Sequence, residues 1–120
     1  MKKRILIVED DDSIRELLSS ELALSGFDVS AAANGQEGFH LLERLSPFSL
    51  IVLDLMMPVM DGWSFLKKLN CDPRFRSLPV VVVSGSIDKV AIELATVVLP
   101  KPFDLQTLLE AVERCTRETH

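Results

Sequence analysis

The stretch LIVLD, from Leu50 to Asp54, decides the fold of this chain, because four consecutive apolar residues lead into a single carboxylate. An uninterrupted apolar run of this length is typical of a strand buried on both faces of a parallel sheet. Three further runs end in a similar way: Ile5–Val8 before Glu9 and Asp10, Val80–Val83 before Ser84, and Val97–Leu99 before Pro100, Lys101 and Pro102. The carboxyl ends of parallel strands share one edge, so these end residues are expected to meet where open α/β sheets place their sites.

Segments with helical spacing separate the strand-like runs, and this alternation predicts a doubly wound α/β domain. A weaker strand is expected around Asp28–Ala32. The first helix is expected to begin near Ser13, which forms a capping-box pattern with Glu16, and to stop at Gly26. A second helix is expected to open at Asn34-Gly35 and to end before Pro47. A third helix, marked by Phe65, Leu66 and Leu69, is expected after a loop at 57–62, and a short fourth helix around Val90 to Leu94. Asp104 is expected to precede a last helix with Leu105, Leu108, Leu109 and Val112 on one face.

Size and composition predict a single domain over residues 1–120. The chain has 120 residues, 48% of them hydrophobic, which is enough for one buried core and too little for two ordinary domains. A formal net charge of −5 argues against direct binding to nucleic acid. No apolar stretch reaches the roughly 20 residues of a membrane-spanning helix, so the expected location is the cytoplasm. Cys71 and Cys115 lack a partner motif and are interpreted as incidental thiols.

Three carboxylates, on Glu9, Asp10 and Asp54, are expected at the ends of neighbouring strands. Like charges this close repel each other, and a hard divalent cation would relieve the repulsion. Carboxylate oxygens with open coordination positions favour Mg²⁺. The alternative reading is a solvated acidic cluster at a helix start, since Asp11 and Asp12 also suit the positive end of a helix.

Ser84 and Lys101 add chemistry to this edge of the sheet. Alone, Ser84 is more often a turn residue and Lys101 a surface charge. Together with the three carboxylates, the serine hydroxyl can donate a hydrogen bond to a phosphoryl oxygen, and the lysine can supply positive charge. Phosphoryl transfer needs this kind of positioning and charge neutralisation.

Four ordered motifs of the chain resemble those of response-regulator receiver domains of two-component systems. They are ILIVEDD at 5–11, LDLMMPVMDG at 53–62, VSG at 83–85 and KPF at 101–103. The resemblance covers the whole chain. It implies a flavodoxin-like five-stranded parallel sheet in the order 2-1-3-4-5, flanked by five helices of which the fourth is short.

The resemblance also implies a role for each site residue. Asp54 would accept a phosphoryl group, either from the phosphohistidine of a histidine kinase or phosphotransfer protein or from a small acyl phosphate. Mg²⁺ would be held by Asp10 directly, by Glu9 mainly through a water, by Asp54 and by the backbone carbonyl of Met56. Ser84 and Lys101 would hold the phosphoryl group.

The same resemblance implies that the domain switches a downstream protein partner or effector domain, and that it is no enzyme beyond its own phosphorylation and dephosphorylation. In this family the peptide bond before Pro102 is commonly cis, which aims Lys101 at the site.

The chain departs from the family pattern on the face that usually signals. Val98 stands where many receivers carry an aromatic residue, and the connection from Ser84 to Lys101 is shorter than usual. The hypothesis is that the segment from Gly85 to Thr96 changes order on phosphorylation instead.

Two alternatives remain at this point. One is a receiver-like docking module that acts without phosphorylation. The other is a Mg²⁺-dependent phosphatase, which lacks support because Met56 occupies the position of a second aspartate.

Overall fold

A five-stranded parallel sheet forms the centre of the molecule. The computed structural model describes residues 2–57, 60–85 and 88–117, except for the side chain of Val90. The strands follow the order β2-β1-β3-β4-β5, which confirms the predicted topology. Their bounds are β1 Arg4–Val8, β2 Asp28–Ala32, β3 Leu50–Asp54, β4 Val80–Ser84 and β5 Val97–Pro100.

Five helices cover the two faces of this sheet. They are α1 Asp12–Leu24, α2 Gly35–Leu45, α3 Gly62–Cys71, α4 Lys89–Leu94 and α5 Leu105–Arg117. The fourth is short, as predicted. The predicted loop at 57–62 leads into α3, which begins at Gly62, the last residue of the predicted loop; Pro58 and Val59 lie outside the described residues.

Side-chain caps explain where four of the helices begin. Asn34, Asp61 and Asp88 each accept a hydrogen bond from the third backbone N–H of the helix that follows. The expected cap at Ser13 is wrong, because Asp11 takes this role by accepting from the N–H of Ile14 at 3.0 Å. Asp11 is still extended, so the helix starts one residue earlier than Ser13.

Gly26 lies just after the end of α1, and Asp104 lies just before the start of α5. Helix α1 ends at Leu24, and Gly26 follows with φ of 98°, a left-handed conformation that glycine adopts without strain. Before α5, the backbone carbonyl of Asp104 accepts from the N–H of Leu108, and its carboxylate accepts from the hydroxyl of Thr107.

Alternate residues of the strands build two apolar cores. Leu6 and Val8 face α2, α3 and α4, whereas Ile5 and Ile7 face α1 and α5. The predicted apolar stripes contribute unequally, since Leu18, Leu22, Leu108 and Val112 are buried, Ile14, Leu105 and Leu109 are partly buried, and Leu17 is exposed. Among the described residues, no helix is both long enough and apolar enough to cross a membrane.

The chain's single tryptophan, Trp63, lies in the first turn of α3. It is partly buried and packs against the core on the α2–α4 side of the sheet. Its indole Nε1 is buried and has no hydrogen-bond partner among the described residues.

Candidate functional site

The register of the sheet brings the predicted site residues to one edge. Val8 pairs with Leu53, so Glu9 follows β1 at the level where Asp54 ends β3. On the other side of β3, Asp54 pairs with Val83, and Ser84 comes directly after it.

The last strand adds Lys101 to this edge. Ser84 pairs with Pro100, and the N–H of Lys101 donates to the carbonyl of Ser84 at 2.8 Å. Ser84 is fully buried. The Lys101–Pro102 peptide bond is cis, as the resemblance implied. Phe103 packs against the core on the α1 and α5 side.

Lys101 lies between two buried carboxylates. Its Nζ is 3.0 Å from Oε1 of Glu9 and 3.5 Å from Oδ2 of Asp54. The two acidic side chains are 3% and 4% exposed, so water screens these charges weakly. The other oxygen of Glu9 accepts from the N–H of Asp11 at 3.2 Å, and Oδ1 of Asp54 accepts from the N–H of Met56 at 3.2 Å. Both carboxylates are thus fixed by backbone donors and by one shared cation.

Burial dominates the acid–base properties of the pair. It raises the pKa of Glu9 to about 7, against the lowering effect of the hydrogen bonds from Asp11 and Lys101. Burial also raises the pKa of Asp54, although the hydrogen bond with Glu9 and the charge of Lys101 act in the opposite direction. Burial alone would lower the pKa of Lys101, but its contacts with Glu9 and Asp54 outweigh that effect and raise it. One lysine therefore compensates two buried carboxylates incompletely.

The carboxylates form a donor set that suits a divalent cation. One oxygen each from Glu9, Asp10 and Asp54 can be chosen so that all three lie within 4.8 Å of one another. Asp10 is exposed, whereas Glu9 and Asp54 are buried, so the cluster opens to solvent on one side. An all-oxygen set with an open side and excess negative charge fits a hard cation that keeps some of its water ligands.

Gly62 lies where the backbone at the start of α3 packs closely against the end of β3, which the sequence did not indicate. Its N–H donates to the carbonyl of Leu55 at 2.8 Å. A Cβ on Gly62 would lie 2.3 Å from Cα of Leu55 and 2.5 Å from the carbonyl oxygen of Asp54. The start of α3 can therefore approach the end of β3 only without a side chain at this position. The loop motif indicated a turn here but not this close approach.

Arg15 is a second residue near the site that sequence reasoning missed. Its Nη1 donates to the carbonyl oxygen of Glu9 at 3.0 Å, and its Nη2 forms an ion pair with the carboxylate of Asp12. The spacing of Asp12 and Arg15 signals a helix ion pair. No sequence pattern signals the bond to Glu9, because it depends on how the chain turns after β1.

Val98, the residue in place of the usual aromatic, is partly buried against the core on the α2–α4 side of the sheet. The structure brings Glu9, Asp54 and Lys101 into contact and places Asp10 and Ser84 at the same edge of the sheet. An open α/β sheet with three carboxylates, a serine and a lysine at its carboxyl edge forms the kind of site that can hold a divalent cation and a phosphoryl group. The chain matches the response regulator receiver domain model over residues 5–113 and belongs to that family.

Curated relatives support this assignment over nearly the whole chain. The chain is 39% identical to the DNA-binding dual master transcriptional regulator RpaA of Synechocystis, over 97% of the chain and 50% of that protein. It is 36% identical to the transcriptional regulatory protein CpxR homolog of Haemophilus influenzae, over 97% of the chain and 51% of that protein. The chain thus spans about half the length of these relatives.

Solved structures agree with the fold. A putative response regulator from Chloroflexus aurantiacus superposes with a TM-score of 0.90 at 28% identity, covering 98% of this chain and all of the other. The receiver domain of the Francisella response regulator 1452 gives a TM-score of 0.89 at 26% identity, covering 99% of this chain and all of the other.

Proposed function

We propose that this chain is one receiver domain over residues 1–120, and that Asp54 accepts a phosphoryl group from the phosphohistidine of a histidine kinase or phosphotransfer protein. The observation that carries the proposal is the placement of Asp54: a buried carboxylate 3.5 Å from Lys101 Nζ, at the end of a central strand and within a carboxylate cluster.

The reaction needs a nucleophile and charge compensation. One oxygen of the Asp54 carboxylate attacks phosphorus, the bond from phosphorus to the donor's imidazole nitrogen breaks, and its electron pair leaves with the imidazole. Oδ1 of Asp54 accepts from the N–H of Met56, which orients the carboxylate. Lys101 lies where its ammonium can pair with a phosphoryl oxygen, and the hydroxyl of Ser84 can donate to another. Attack by water on phosphorus later restores the carboxylate and releases inorganic phosphate.

The cation of this site is proposed to be Mg²⁺. Asp10 and Asp54 would hold it directly, together with the backbone carbonyl of Met56, and Glu9 would act mainly through a water. When bound, Mg²⁺ supplies positive charge that neutralises the phosphoryl oxygens during transfer. Glu9 accepts a hydrogen bond from Nζ of Lys101, so it links the proposed cation site to the proposed phosphoryl site.

The chain is proposed to act as a switch in the cytoplasm, and not as an enzyme on external substrates. Its relatives are transcriptional regulators about twice its length, which supports a downstream effector domain or protein partner as the recipient of the signal. The chain's own net charge of −5 does not favour direct contact with nucleic acid.

Intact-mass measurement after incubation with acetyl phosphate and MgCl₂ tests the proposal. The wild-type chain is expected to gain about 80 Da, the mass of one phosphoryl group. Addition of EDTA beforehand, or the substitution Asp54→Asn, should abolish the gain. Asp28→Asn is the matched control, because this aspartate is exposed and lies at the start of β2, at the opposite edge of the sheet. A folded wild-type protein that stays unmodified by both acetyl phosphate and a phosphorylated kinase would contradict the proposal.

A further inference from the structure

Arg15 contacts the backbone of the turn that joins β1 to α1 and carries Glu9 and Asp10. Its Nη1 donates to the carbonyl of Glu9 at 3.0 Å and approaches the carbonyl of Asp10 at 3.4 Å. The side chain is 22% exposed, whereas that of its ion-pair partner Asp12 is 82% exposed. The guanidinium therefore spans the turn between β1 and α1, from the carbonyl groups of Glu9 and Asp10 to Asp12, the first residue of the helix.

This contact restrains the carbonyl groups of Glu9 and Asp10, in a turn where the N–H of Asp11 also donates to Oε2 of Glu9. After β1, the N–H of Glu9 still donates to the carbonyl of Ala32. Asp10 is exposed, and helix α1 begins only at Asp12. The direction of the Asp10 carboxylate depends on the backbone on either side of it. Arg15 holds the carbonyl groups of Glu9 and Asp10, so it holds that backbone.

The charge of Arg15 has a second effect, which opposes the first. A guanidinium near a cation site repels the cation, and this alone would weaken binding. In this structure the carboxylate of Asp12 pairs with Arg15 and compensates its charge. This pairing reduces the repulsion.

We propose that Arg15 is a positioning residue for the cation site, which raises Mg²⁺ affinity by fixing the turn that carries Glu9 and Asp10. This inference rests on the proposed function, since it assumes that the carboxylate cluster binds Mg²⁺. Residues that orient metal ligands from outside the coordination sphere typically change metal affinity about 10-fold to 100-fold when they are replaced. The contact here is to the backbone, so we expect the lower end, roughly 10-fold.

The test compares Arg15→Met, Arg15→Lys and the control Arg76→Met. Arg76 is exposed and lies between α3 and β4, so it precedes a strand and is far from the carboxyl edge. The midpoint of Mg²⁺ binding is measured from the rise in melting temperature with MgCl₂ at constant ionic strength, which needs no phosphorylation. The rate of phosphorylation by acetyl phosphate is then measured against MgCl₂ concentration.

Arg15→Met should raise the Mg²⁺ midpoint roughly 10-fold in both measurements, whereas the phosphorylation rate at saturating Mg²⁺ should stay near that of the wild type. Arg15→Lys should rescue only in part, because one ammonium cannot bind the turn carbonyls and Asp12 with the geometry of a guanidinium. Arg76→Met should leave the midpoint unchanged.

Three results would overturn the inference: an unchanged midpoint in Arg15→Met, tighter Mg²⁺ binding in that variant, or full rescue by lysine, which would show that the geometry of the guanidinium does not fix the turn. A fall in the rate at saturating Mg²⁺ without a shift in the midpoint would also contradict it. Failure of the proposed function looks different, because the wild-type protein itself would then show no Mg²⁺-dependent stabilisation and no phosphorylation.

Discussion

The connection from β3 through α3 and the connection from β4 through α4 to β5 are built differently, although both begin at the same edge of the sheet. Helix α3 has 10 residues, of which Phe65, Leu66 and Leu69 are buried core side chains. Helix α4 has 6 residues, with Ala91 buried, Leu94 partly buried and Ile92 62% exposed. Strand β3 is buried along its length, whereas the residues of β5 are partly buried or exposed.

This difference separates the proposed chemistry from the proposed response. Asp54 is the last residue of β3, and both β3 and the following helix α3 are anchored by buried apolar side chains. Strand β4 is buried, but α4 and β5 after it have fewer buried apolar side chains, and regions of this kind open locally at a lower free-energy cost. The comparison predicts that the two sides respond differently to equivalent substitutions.

The largest expected difference is between Leu66→Ala and Ile92→Ala. Leu66 is 1% exposed, and truncating a buried leucine leaves a cavity, so the free energy of unfolding should fall by about 3 kcal/mol. Ile92 is 62% exposed, so its truncation should change the free energy of unfolding by less than about 0.5 kcal/mol. Urea unfolding of the two variants measures both values. Equal losses would contradict the comparison.

The next largest difference is between two glycines. A Cβ at Gly62 would meet the backbone of Asp54 and Leu55, whereas a Cβ at Gly85 meets nothing within 4 Å. Gly62→Ala should cost about 2 kcal/mol, because the start of α3 must move away from β3. It should also slow phosphorylation of Asp54. Gly85→Ala should stay within about 0.5 kcal/mol of the wild type. A wild-type phosphorylation rate in a folded Gly62→Ala variant would argue against tight coupling between α3 and the site.

The smallest expected effect is a change in backbone protection on phosphorylation. The phosphoryl mimic beryllofluoride with Mg²⁺ should change amide hydrogen exchange at residues 85–96 by about fivefold or more, and change that of α3 by less. Of this segment, Ser86 and Ile87 lie outside the described residues. Asp54→Asn provides the control, since it should remove the response. Unchanged protection from Gly85 to Thr96 would rule out this segment as the switch.

Much of the fold could be predicted from the sequence, because strands covered on both faces are unbroken apolar runs. The runs at β1, β3 and β4 fix which residues come last in each strand, and in a parallel sheet those residues share an edge. The predicted set of Glu9, Asp10, Asp54, Ser84 and Lys101 therefore follows from strand ends and motifs. The structure brings Glu9, Asp54 and Lys101 into contact as that reasoning requires.

The features that the sequence did not predict depend on how separate segments approach each other. Asp11, Asp12 and Ser13 are all acceptable helix caps, and the path of the chain after Glu9 decides that Asp11 is the cap. Gly62 reads as part of a turn, but its role comes from the distance between α3 and β3. Arg15 reads as a surface charge on a helix, and only the folded turn brings its guanidinium to the carbonyl of Glu9.

Trp63 gives this molecule an intrinsic optical probe. It is the only tryptophan of the chain, which also has no tyrosine, so excitation at the red edge of protein absorption reports on one side chain. Because its indole N–H is buried without a partner among the described residues, its emission should lie at shorter wavelengths than that of a hydrated indole. The ring lies in the first turn of α3, one residue after Gly62, so its fluorescence lifetime and wavelength report directly on the junction of α3 with the phosphoacceptor strand.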